Sequence, residues 1–113
     1  MDCLFCRIAQ HQLPATIIHE DDHVVAFRDI SPQAPVHFLV IPKQHVTTLN
    51  DLQPGDAALA GHMVLTAQKL AAAEGIAESG YRLVMNCNRE GGQTVYHIHL
   101  HVLGGRSMHW PPG

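Results

Sequence analysis

The chain has 113 residues, 46% of them apolar and 15% charged, with 7 Lys+Arg against 10 Asp+Glu and a formal net charge of -3. That length and composition support one packed domain over residues 1–113 and exclude both a disordered polymer and a second core. A mildly acidic chain with no basic run or stripe excludes a DNA- or RNA-binding face, although one nucleotide phosphate needs only a few donors.

The N-terminal segment MDCLFCRIAQ lacks the long apolar run and small-residue cleavage site of a secretory signal. Uninterrupted apolar segments such as FLVI and MVL are too short to cross a bilayer, so no membrane association is expected. The cysteine count is 3, and an odd number argues against a closed disulfide framework. A reduced, cytoplasmic protein is the expectation.

CLFCRIAQHQ predicts a short helix or turn ended by Leu13-Pro14. ATIIHE (15–20) and VVAFRD (24–29) read as strands joined by the acidic turn EDDH. SPQAP is a breaker cluster, and VHFLVIP (36–42) is apolar enough for a central strand covered on both faces. The segment 50–75 supplies the long helix, in which Leu59, Met63, Ala67 and Leu70 align on one face. Pro54 suits its first turn and Gly75 its stop. YRLVMNC (81–87) and VYHIHLHVL (95–103) are two further strands joined by the loop NREGGQ, and SMHWPPG is too proline-rich for regular structure. Strands that come as hairpins, with the helix inserted once, give an α+β fold on an antiparallel sheet.

Histidine is the outlier of the composition, with 10 copies. In a strand His97, His99 and His101 share one face while Ile98, Leu100 and Val102 take the other. Such a face has three readings: a polar surface, a metal site, or a phosphate-handling site in which one ring attacks and the others donate hydrogen bonds. Gly91-Gly92 before the strand, Gly104-Gly105 after it and the Thr94 hydroxyl favour the third, since glycine lets backbone N–H groups approach a phosphate. Cys3-x-x-Cys6 has a zinc-ligand spacing that needs two further ligands. Cys87 reads as a small buried hydrophobe, and His11, His19, His23, His62 and His109 as solvated surface.

HIHLHVL matches the pattern His-φ-His-φ-His-φ-φ of the histidine-triad (HIT) nucleotide-binding superfamily. FRDISPQAPVHFLVIPKQH, YRLVMN, GGQTVYHIHLHVLGGR and HWPPG extend the match, and the chain resembles the Hint branch of purine nucleoside phosphoramidase-like proteins. The resemblance implies a homodimer in which two five-stranded antiparallel sheets join, each with one long and one short helix. It implies hydrolysis of the P–N bond of purine nucleoside 5′-phosphoramidates, such as adenosine 5′-phosphoramidate or lysyl-AMP-type adducts, with an AMP or GMP moiety bound. Dinucleoside polyphosphate hydrolysis or nucleotidyl transfer, and a nucleotide-binding interaction protein with incidental hydrolysis, are the alternatives. His99 matches the nucleophile, His101 a phosphate donor, His37 a position beside the triad, and Thr94 a position more often serine. Asp29 matches the ribose ligand and Asn86 a phosphate or ribose contact, with Gly92 beside the phosphate. Leu4, Phe5, Ile8, Leu13, Phe27 and Ile30 correspond to the base slot, and Trp110 to a wall near the partner subunit's site. In a zinc-carrying subset the remaining ligands match His45 and His97, implying a structural Cys3, Cys6, His45, His97 zinc.

Overall fold

The computed structural model describes residues 3–113. Its elements are α1 (Leu4–Ala9), β1 (Ile17–Glu20), β2 (Val24–Arg28), β3 (Val36–Pro42), α2 (Ala57–Ala73), β4 (Tyr81–Val84), α3 (Asn88–Gly91) and β5 (Leu100–Gly104). The strands form one five-stranded sheet in the order β1-β2-β3-β5-β4. All four neighbouring pairs are antiparallel, so the α+β expectation holds. No helix among the described residues is long and apolar enough to cross a membrane.

Strand alternation splits the apolar residues of β2 and β3 into two cores. Val24, Ala26, Phe38 and Val40 join Ile98, Leu100 and Val102 in a cluster with Met63, Ala67 and Ala71 of α2. Val25, Phe27, Leu39 and Ile41 face the other way and pack with Phe5, Ile8 and Ala9 of α1. Leu59 and Leu70 lie partly buried against the first cluster, completing the helical stripe that the spacing predicts. The β1–β2 turn is fastened by Asp21, whose Oδ1 accepts from the backbone N–H of His23 at 2.8 Å and of Val24 at 2.9 Å.

Several expectations are corrected. The strand β5 starts only at Leu100 and runs on to Gly104, one residue past the expected 95–103, so His97 and His99 precede it. The reason lies in what the segment meets: the last β3–β5 partners are Val40 and Leu100. Beyond them Pro42 has no N–H to offer, its carbonyl is taken by the His97 ring, and Ile98 N–H turns to the Val46 carbonyl at 2.8 Å. Residues 50–75 are two 3-10 turns, Leu49–Asp51 and Pro54–Asp56, ahead of α2. The loop NREGGQ contains the short helix α3, making two short helices beside the long one. Cys87 is half-buried rather than buried. His19 and His62 are half-buried too, and each Nε2 bonds Asp21 Oδ2, at 2.9 and 2.8 Å.

Three of the four paired glycines also have a conformational or packing reason of their own. Gly92 is the left-handed C-cap of α3, at φ 84°. A Cβ on Gly104 would meet Ile76 Cδ1 at 2.6 Å, and Gly105, at φ +88°, lies against Pro35. These residues serve a cap, a close packing contact and a turn.

Candidate active site and metal centre

A cleft of about 450 Å³ opens on the α1 side of the sheet. All six residues expected in the base slot, Leu4, Phe5, Ile8, Leu13, Phe27 and Ile30, line it. So do Asp29, Thr94, His99 and His101, which places a carboxylate, a hydroxyl and two imidazoles around an apolar slot. Such a combination suits a flat apolar-faced ring joined to a polar, anionic group. Gly92, Asn86 and Trp110 are not among the lining residues, and Trp110 is 84% exposed.

His99 is held in one tautomer. Its Nδ1 lies 2.8 Å from the His97 carbonyl, which only accepts, so Nδ1 carries the proton and Nε2 keeps its lone pair. Burial pushes its pKa below the ordinary imidazole value, partly offset by that carbonyl bond and by the Asp29 charge. A neutral ring with a free Nε2 is a nucleophile. Its flanks are Phe5, edge-to-face at a centroid distance of 5.0 Å, and His101, also at 5.0 Å.

His101 is fixed by a relay that starts in the main chain. The Gln33 N–H donates to His37 Nδ1 at 3.0 Å, so the His37 proton sits on Nε2. Nε2 lies 2.9 Å from His101 Nδ1, which accepts, and the His101 proton therefore sits on Nε2 as a donor. Burial lowers the pKa of His37, with the Asp29 carboxylate opposing it. Burial, followed by the neighbouring His99 and His37, brings His101 to about 4. Asp29 Oδ2 stands 3.4 Å from His37 Nε2, and its Oδ1 accepts from Ser31 N–H at 2.8 Å. Asp29, His37 and His101 are close enough to share a cation. The relay argues against that use, because a ligand bond at His37 Nε2 would leave its ring with no proton while Gln33 still occupies Nδ1.

His97 belongs to a second centre. It is 0% exposed and its Nε2–H donates to the Pro42 carbonyl at 2.8 Å, leaving Nδ1 as a lone pair. That nitrogen lies 3.4 Å from Cys3 Sγ and 3.5 Å from Cys6 Sγ, and His45 Nδ1 is 3.2 Å from Cys6 Sγ. The four donor atoms lie within 4.8 Å of one another. A tetrahedral Cys2His2 zinc has donor–donor edges of roughly 3.4–3.8 Å, so the donor set fits a metal ion with no position open for chemistry. Burial and the neighbouring Cys3 push the Cys6 thiol up, so metal binding would displace protons. The spacing of Cys3 and Cys6 pointed here, the family resemblance added His45 and His97, and the fold brings all four together.

Two supports escaped sequence reasoning. One is the Gln33 backbone N–H, which no residue type advertises. The other is Gln93, buried beside Thr94, whose Oε1 accepts from Asn88 N–H at 2.9 Å. Its Nε2 donates to the Thr47 carbonyl at 2.9 Å and to the Val95 carbonyl at 3.1 Å, clamping the segment that presents the Thr94 hydroxyl. A glutamine between a Gly-Gly pair and a β-branched run was the available signal.

The HIT domain model matches residues 10–108. The purine nucleoside phosphoramidase of Escherichia coli is 51% identical over 107 residues, covering 95% of this chain and 90% of that one. A crystal structure of a HIT family hydrolase from Legionella pneumophila superimposes with a TM-score of 0.98 at 59% identity, covering 99% of this chain and 100% of that one. A Zn-bound histidine triad family protein from Mycobacterium smegmatis gives a TM-score of 0.83 at 36% identity, covering 95% of this chain and 77% of that one. With the family model spanning nearly the whole sequence and the fold superimposing throughout, this chain belongs to the HIT domain family.

Proposed function

We propose that the protein is a hydrolase of purine nucleoside 5′-phosphoramidates that works through a nucleotidyl-His99 intermediate. The observation that carries this reading is the His99 ring, held by the His97 carbonyl through Nδ1, lining a mostly apolar cleft beside a second neutral imidazole. The 51% identity to a purine nucleoside phosphoramidase supports the substrate class. The base lies against Phe27, Leu13 and Ile8, and the Asp29 carboxylate accepts from the ribose hydroxyls. His99 Nε2 attacks the α-phosphorus, the P–N bond breaks with its electron pair going to the nitrogen, and the amine takes a proton from solvent, which the attacking water gives back in the second step. His101 Nε2–H donates to a phosphoryl oxygen, and Thr94 bonds the phosphate or the leaving group. Water then attacks the phosphorus of the adduct and returns the electron pair of the P–N bond to His99. Positioning and donors aimed at the phosphoryl oxygens supply the rate.

The same reading assigns a structural zinc to Cys3, Cys6, His45 and His97, whose role is to fasten α1 to the segment before β5. It also makes the protein a homodimer. Among the described residues β4 has one sheet neighbour, β5, which leaves its other edge open, and Trp110 stands exposed at the C-terminal end.

The test is turnover of adenosine 5′-phosphoramidate, with a dinucleoside polyphosphate alongside and mass spectrometry of the quenched enzyme. Faster turnover of the phosphoramidate and a nucleotidyl adduct on a His99 peptide are expected, with adduct and turnover both lost in His99→Asn. An adduct on His101, an adduct that persists in His99→Asn, or preference for the polyphosphate overturns the assignment.

A further inference from the structure

The nucleophile is gripped from two directions, and both grips originate in the cysteine knuckle. One is the backbone carbonyl of His97, a residue whose ring faces Cys3 and Cys6. The other is Phe5, which lies between those two cysteines in the first turn of α1. Its ring meets His99 edge-to-face at 5.0 Å and an interplanar angle of 85°, and also meets His97 at 6.1 Å and Phe27 at 5.5 Å.

Among the described residues, the His97 carbonyl makes the one hydrogen bond found on the His99 ring. A single bond fixes the tautomer but leaves the ring free to rock about the bond axis, so its direction of attack depends on the walls beside it. Phe5 is one wall and His101 is the other. His101 is itself fixed by the relay from Gln33, whereas Phe5 is held by its apolar packing on Phe27 and Leu39 and by the backbone of α1. That helix has 6 residues, too few to hold its shape by its own hydrogen bonds. Its start is pinned by Cys3, whose Sγ accepts from Cys6 N–H at 3.4 Å, and by the contacts of Cys6 Sγ with His45 and His97.

We propose that Phe5 is a positioning residue for His99, and that through it the state of the Cys3–Cys6 knuckle sets the aim of the nucleophile. Phe5 therefore has a role beyond a wall of the base slot, and the knuckle has one beyond fastening the N-terminus. A knuckle holding its metal keeps Phe5 against His99, and an empty one lets α1 and the ring relax together. The kinetic consequence rests on the reading of His99 as nucleophile. The structural one, a His99 ring whose order depends on the knuckle, does not.

Two measurements decide it. In the first, Phe5→Leu and Ile30→Ala are compared on adenosine 5′-phosphoramidate. Ile30 lines the same cleft but is 98% exposed and makes none of the ring contacts of Phe5. Phe5→Leu is expected to lower kcat roughly 10- to 100-fold, the cost of a small misplacement of a reacting group. KM should stay within about threefold, whereas Ile30→Ala should raise KM and keep kcat. If Phe5→Leu behaves like Ile30→Ala, Phe5 is only a wall and the proposal fails.

The second measurement needs no substrate. The His99 Nδ1–H resonance is followed by NMR in zinc-loaded protein, in chelator-treated protein and in Phe5→Leu. Chelation and the substitution are both expected to broaden or shift it, with native circular dichroism retained. A resonance unchanged by both overturns the proposal. If the wild type hydrolyses no phosphoramidate at all, the assignment of activity fails, and the resonance still decides whether Phe5 orders the ring.

Discussion

Replacing His37 by phenylalanine tests whether the relay, rather than His101 alone, supplies the phosphate donor. His37 is 6% exposed, and phenylalanine conserves most of its volume while removing both ring nitrogens. His101 Nδ1 then loses the partner it has at 2.9 Å. A buried acceptor left without a donor costs about 1–3 kcal/mol, and His101 can relieve that cost by moving its proton to Nδ1 and turning it toward the Asp29 carboxylate of the same cluster. Doing so removes the Nε2–H from the cleft and turns a lone pair toward the phosphoryl oxygens. Complete loss of one such donor is worth about 10²–10³ in rate. The two neutral tautomers differ little in intrinsic energy, so a partial loss of roughly 10- to 100-fold in kcat is expected, about 1.4–2.7 kcal/mol of barrier. The assay is steady-state hydrolysis of adenosine 5′-phosphoramidate at pH 7, with the ring tautomer read from the nitrogen shifts of His101. A kcat within about twofold of wild type, or a His101 that keeps its proton on Nε2 without His37, refutes the reasoning.

Three further outcomes follow from the same structure. His101 is brought to about 4, below the ordinary imidazole value, so between those pH values the unfolded chain binds more protons than the folded one. The stability it contributes is therefore complete above about pH 6.5 and is lost as pH falls toward 4, which denaturant melts at stepped pH would register as a falling midpoint. Removal of the metal from zinc-loaded protein is expected to lower stability by as much as about 4 kcal/mol when free zinc had been a thousandfold above Kd, read as a fall in Tm. Cys6→Ser should abolish that difference, and metal analysis should give about one zinc per chain in the wild type. Gly104→Ala would place a Cβ 2.6 Å from Ile76 Cδ1 and should cost about 1–3 kcal/mol in chemical denaturation. Ile76→Val, which removes that carbon, should recover most of the loss in the double mutant, and no recovery would disprove the clash.

Periodicity made the architecture legible. The apolar run Val36–Pro42 is the central strand with its predicted bounds, because a strand buried on both faces needs little beyond apolar residues on every position. The Leu59, Met63, Ala67, Leu70 stripe similarly marked the inner face of α2. The spacing of His97, His99 and His101 marked the site, and alternation correctly sent Ile98, Leu100 and Val102 to the α2 side. What alternation could not reveal is that the strand begins only at Leu100. That limit is set by Pro42 and Val46, residues far away in sequence that determine which hydrogen bonds the incoming segment can make.

The division of labour among the histidines was decided in the same way. An imidazole has two nitrogens, and its chemistry depends on which one carries the proton, a choice made by whatever touches the other. Residue type alone determined that three imidazoles, a carboxylate and a thiol pair were available. Tertiary structure placed the Pro42 carbonyl on His97, the His97 carbonyl on His99 and the Gln33 N–H behind His37. Those backbone groups are present in every sequence and distinctive in none. Only their position in the fold leaves one ring with a lone pair facing two thiols, the next with a lone pair on Nε2 and the third with a proton there.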